Sequence, residues 1–79
     1  MFAKFESSAI ENMTAAKTDQ NSNSGQVTIT FNGGRDYTYG VADVEQFVAQ
    51  VNDTISQGES VGRFINTAIR SEQLTQVAA

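Results

Sequence analysis

Gly58-Glu59-Ser60-Val61-Gly62 has the Gly-x-Ser-x-Gly spacing of a nucleophile elbow. There a serine sits on a tight strand-to-helix turn and is activated by a histidine. The chain contains no His and no Cys. Imidazole-dependent triads, a thiolate nucleophile and Cys or His zinc sites are therefore excluded. The pentapeptide lies between two segments of helical periodicity, where Ser60 reads as a helix cap. Asp19, Asn21 and Asn23 have the 1-3-5 spacing of a calcium loop. An EF-hand then needs Gly at position 6 and Glu at position 12, and Ser24 and Thr30 stand there. This stretch reads as an ordinary loop. Asp43, Glu45, Asp53 and Glu59 lie on or beside one amphipathic segment, as its solvated face, with Asp43 at the cap position. The expectation is no catalytic residue, no cofactor and no metal ligand.

Two other groups of residues could bind a partner. Arg63 and Arg70 are seven apart and project from the same side of a helix, with Asn66 and Thr67 between them. Guanidiniums in such a row can hold carboxylate or phosphate oxygens. The alternative is a solvated face with ion pairs to Glu59 or Glu72. Tyr37 and Tyr39 are the second group. On an open sheet they could stack on bases, but parity points them at the core with their hydroxyls reaching its edge.

The elements that must position these residues follow from periodicity. Gln26–Phe31 alternates polar and apolar with β-branched residues, the pattern of a half-buried strand. Asn32-Gly33-Gly34 is a turn signal, and Arg35–Val41 alternates again. The apolar positions Val27, Ile29, Phe31, Tyr37, Tyr39 and Val41 are all odd. They share a face only across an odd-length loop, which pairs Phe31 with Arg35, Ile29 with Tyr37 and Val27 with Tyr39. Val44, Phe47, Val48, Val51 and Ile55 form a helical stripe. Asp43 and Gln46 form a capping pair at its start, and Gly58 stands at its end. Ser60 then caps a second stripe of Val61, Phe64, Ile65, Ala68 and Ile69. Residues 8–17 have helix-friendly composition and few apolar anchors. A third strand there would support an otherwise marginal hairpin. The stretch 18–25 has no apolar side chain and is expected to be an exposed, flexible polar loop. Leu74 and Val77 lie in a tail, 72–79, that docks or frays.

The chain has 79 residues, enough for a single domain with a thin core. Five Lys+Arg against nine Asp+Glu leave a net charge of −4, which argues against a phosphate backbone as partner. No signal-peptide pattern and no apolar run of membrane-spanning length is visible. The expected location is cytoplasmic, with no membrane association.

The whole pattern resembles the KTSC domain, a module at the C-terminus of some lysyl-tRNA synthetases and a stand-alone bacterial and phage protein. The resemblance rests on Ser7-Ser8-Ala9-Ile10, on Val27–Gly34, on Tyr37-Thr38-Tyr39-Gly40-Val41 and on Gly62-Arg63-Phe64-Ile65-Asn66-Thr67-Ala68-Ile69-Arg70. It covers roughly residues 7–70. It implies that the N-terminal segment is a strand, and RNA binding has been suggested for the family. Ala42 stands where the family has Pro, the 18–25 loop is longer, and Leu74-Thr75-Gln76-Val77 replaces an aromatic, basic end.

The expected fold is α+β, a three-stranded antiparallel β-meander followed by two helices packed on one face. Its expected core is Ile10, Val27, Ile29, Phe31, Tyr37, Tyr39, Phe47, Val48, Val51, Phe64, Ile65 and Ile69. The expected function is a small non-catalytic binding module with a protein partner. Its contact surface would be Arg63, Asn66 and Arg70, with Tyr37, Tyr39 and Ser8 nearby. Size and composition also fit a phage-encoded modulator of a host protein. Two alternatives are an RNA-binding module, and a self-associating subunit that buries Phe2, Phe5, Leu74 and Val77 between copies.

Overall fold

Parity decides the centre of the sheet. In the computed structural model, which describes residues 2–5 and 7–77, β1 spans Ile10–Lys17, β2 Gly25–Phe31 and β3 Arg35–Val41. β2 and β3 pair antiparallel as Phe31↔Arg35, Ile29↔Tyr37 and Val27↔Tyr39. This is the register that a three-residue loop requires. Gly33 and Gly34 adopt φ of 102° and 80°, values that side chains other than glycine rarely tolerate. The Gly34 N–H donates to the Phe31 carbonyl at 3.1 Å.

β1 pairs antiparallel with β2, with a register shift between Ile10 and Asn12. The shift places an extra residue, Glu11, in the strand. Ile10 and Met13, three apart, are therefore both buried, where a regular strand would send them to opposite faces. Ala15 follows on the same face opposite Val27.

Two helices cover that face. α1 spans Val44–Ser56 and α2 Val61–Arg70. The Asp43 side chain accepts from the Gln46 N–H and the Ser60 side chain from the Arg63 N–H, so both expected N-caps are formed. α1 ends in a Schellman motif. Gly58 has φ 73°, its N–H donates to Ile55, and the Glu59 N–H donates to Thr54. α2 ends differently. Glu72 takes the left-handed conformation, φ 62°, and the Leu74 N–H returns to the Ala68 carbonyl at 3.1 Å. That reversal buries Leu74 and lets β4, Thr75–Gln76, pair with β3. The sheet order is β1-β2-β3-β4, so the three-stranded meander carries a short fourth strand drawn from the expected tail.

The buried core contains Ile10, Val27, Ile29, Tyr39, Phe47, Val51 and Ile65 as expected. It also takes in Met13, Val41, Val44, Val61, Ala68 and Leu74. Phe31, Tyr37, Val48, Phe64 and Ile69 are half-buried and pack on it. The opposite sheet face is polar, with Thr14, Thr28 and Thr38 in one cross-strand row. Among the described residues, no helix is long and apolar enough to cross a membrane.

The 18–25 reading needs a correction at its end. Gly25 is buried and opens β2. A Cβ there would overlap the Ala16 carbonyl oxygen and the Val44 side chain, so the missing side chain is what allows β1 and α1 to close on β2. The preceding residues form a hydrogen-bonded turn. Asp19 Oδ1 accepts from the Asn21 N–H at 2.9 Å, and the Asn23 carbonyl accepts from the Val44 N–H at 2.7 Å. The Asp19 carboxylate thus closes an Asx turn.

Candidate binding cleft

α2 buries Val61, Ile65 and Ala68 and turns Arg63, Asn66, Thr67 and Arg70 outward. The chain just before β1 runs along this outward side. At Gly62 a methyl would just reach van der Waals contact with Ala9 Cβ at 3.5 Å and Ser7 Oγ at 3.6 Å, so the two segments lie close together here. Between the two segments lies an open cleft of ≈ 380 Å³, walled by Ser7–Ala9 on one side and Gly62, Arg63, Asn66 and Arg70 on the other. Ser60 and Thr67 complete the lining.

The N-terminal wall is held in place by hydrogen bonds. Ser7 Oγ accepts from the Ala9 and Ile10 N–H groups at 3.2 and 3.3 Å. From the hairpin turn, the Asn32 N–H donates to the Ala9 carbonyl at 2.9 Å. The Asn32 side-chain amide donates to the Ser8 carbonyl. The turn that sets the sheet register therefore also positions one wall of the cleft.

Four of the six expected contact residues, Ser8, Arg63, Asn66 and Arg70, meet in this cleft. Tyr37 and Tyr39 do not line it; they lie on β3, on the helix-covered face. Tyr39 is buried, and Tyr37 packs edge-on against Phe31 with ring centroids 5.6 Å apart. Burial pushes the Tyr39 phenol above its ordinary pKa, and the neighbouring Tyr37 adds to the shift in the same sense. Ser7 and Ser60 belong to the cleft and were not among the expected contacts. The signal for Ser60 was its cap position. Ser7 has only the local signal of a serine two and three residues ahead of the amides it accepts.

The electrostatics of the cleft differ from those of the chain as a whole. Among the described residues, no acidic side chain lines it. The ion pairs with Glu59 or Glu72 that belonged to the alternative, solvated-face reading of Arg63 and Arg70 are not formed; the ion pair found among the described residues is Lys17–Glu45, at 3.0 Å. Glu59 lines an adjoining cleft of ≈ 320 Å³, which shares Ser60, Arg63 and Thr67 with this one.

The residues invoked for self-association are mostly engaged within the chain. Leu74 is buried, Phe2 and Phe5 pack on the core, and Val77 is the exposed one. Phe2 meets Phe47 edge-on at 6.2 Å. Among the described residues, no group of three or more acidic side chains could hold a metal ion. Compared with known protein families, curated proteins and solved structures, the chain matches none.

Proposed function

We propose that this protein is a small non-catalytic binding module that captures a protein partner in the cleft between Ser7–Ala9 and α2. The observation that carries this reading is the meeting there of Arg63 and Arg70, neither paired with a described acidic residue. In a chain of net charge −4, two unpaired guanidiniums on one wall favour a ligand rich in acceptor oxygens. The rival RNA reading, which the KTSC resemblance implies, has less support. RNA binding needs phosphate-neutralising charge and exposed aromatic platforms. The chain carries five basic residues in all, and Tyr39 is buried.

The test is a tagged pull-down from the source lysate, with and without nuclease, using the wild type and an Arg63→Glu/Arg70→Glu variant. The expected result is a protein partner that survives nuclease and is lost with the variant. Co-purified RNA whose removal releases every partner would replace this reading with the RNA one.

A further inference from the structure

The polar atoms of the cleft are unevenly used. Ser7 Oγ already accepts from two backbone N–H groups, so what its hydroxyl has left is its proton. Ser60 Oγ accepts from the Arg63 N–H and keeps its own O–H to donate. Thr67 differs, because its hydroxyl already donates to the Arg63 carbonyl at 3.0 Å. Arg63 and Arg70 offer five N–H donors each and no acceptor. The groups free to bind are thus mainly donors, and they complement oxygen acceptors with negative charge.

Spacing narrows the ligand further. Seven residues along α2 separate the two arginines by about 10.5 Å along the axis, with a phase difference of only about 20°. In an extended polyproline II segment, residues three apart face the same side and lie about 9 Å apart. An extended segment lying along the open cleft can therefore present two side chains of matching spacing to Arg63 and Arg70. Asn66, midway between the arginines, has an amide able to pair with the backbone between the two acidic positions.

We infer that the cleft binds an extended acidic peptide segment whose two carboxylates, three residues apart, pair with Arg63 and Arg70. This inference rests on the protein-binding reading above and names the chemistry of the partner. The full chain, labelled with 15N, would be titrated with the blocked hexapeptide Gly-Asp-Ala-Ala-Asp-Gly. Controls are the same peptide with Asn at both acidic positions, and one with the two acidic residues adjacent.

The expected result is amide shifts confined to Ser7–Ala9 and Ser60–Arg70. The Asn peptide should produce none, and the adjacent-acid peptide should bind more weakly. Arg63→Gln and Arg70→Gln should each lower the affinity about tenfold, the loss of one charge-assisted pair. Both positions are exposed, and retained spectral dispersion would show that the fold is intact. Absence of localised shifts up to about 10 mM peptide, equal binding of the Asn peptide, or indifference to both Gln variants would overturn the inference. If the titration fails while capture from lysate still depends on the arginines, the binding-module reading stands and the acidic-segment inference falls. If both fail, the reading falls as well.

Discussion

Gly25 and Gly62 both stand where another segment closes on the sheet or on α2, yet the two regions are built oppositely. Around Gly25, β1, β2 and α1 converge so tightly that there is no room for a Cβ. The polar groups there are engaged internally, as when the Asn23 carbonyl accepts from the Val44 N–H. Around Gly62 a Cβ would meet its neighbours at ordinary contact distance, and among the described residues Arg63 and Arg70 form no ion pair. The first junction holds the fold together. The second leaves an open cleft lined by Arg63, Asn66 and Arg70. Exposed guanidiniums on such a wall can pair with solvent or with acceptor oxygens brought by a ligand.

The largest expected effect tests the closed junction. Gly25→Ala should cost about 3 kcal/mol or more, because backbone must move to make room. Urea denaturation would measure it, and a cost below about 1 kcal/mol would mean that the junction is looser than described. Arg63→Gln and Arg70→Gln, on the open side, should shift stability by less than about 0.5 kcal/mol. Next is Ser60→Ala, which removes the α2 cap at a cost of about 1 kcal/mol and also takes one donor from the cleft. It should therefore move both the urea midpoint and the peptide affinity.

Gly62→Ala should have the opposite sign from Gly25→Ala. It gives the first turn of α2 a better helix former in a position with room, and should raise stability by up to about 0.5 kcal/mol. Such a stabilised variant would show that the fold does not require glycine at this position. Glu72→Gly should stabilise by about 0.5 kcal/mol, the difference between the left-handed cost of an L-residue and the extra unfolded-state freedom of glycine. Thermal melting would resolve either change as an upward shift in Tm.

The smallest effect at neutral pH belongs to Tyr39. Its pKa is raised in the folded state, so folding favours the protonated phenol. Its contribution is fully present below the unfolded value of about 10 and is lost as pH rises through the higher folded value. Tyr39→Phe should flatten that alkaline decline in urea stability, with pH 7 as the reference point.

The local features were legible in the residues. The shared odd parity of Val27, Ile29, Phe31, Tyr37 and Tyr39 was enough for the register, because a strand repeats every two residues. Asp43, Ser60 and Gly58 marked helix ends by chemistry that acts within a few residues. β1 was less legible, since the extra residue between Ile10 and Asn12 breaks the alternation that would announce a strand. β4 was hidden for a related reason. Gly58 advertises a left-handed helix end, whereas Glu72 adopts the same conformation without a glycine to signal it.

For the candidate site, the Arg63–Asn66–Arg70 row could be read from helical spacing, and Ser8 was placed near it. The wall that faces the row was not derivable from spacing. It depends on Asn32 holding the Ser8 and Ala9 carbonyls. Tyr37 and Tyr39 lie on the covered face of β3 and so do not line the cleft between α2 and the N-terminal segment.

Sequence alone determined the hairpin register, the two capped helices and the same-side pair of arginines, because each depends on periodicities and caps that act over neighbouring residues. Tertiary structure decided the β1 bulge, the docking of Leu74 with β4, and the cleft itself. These depend on pairing between segments far apart in the chain, where packing against a common core overrides local preference.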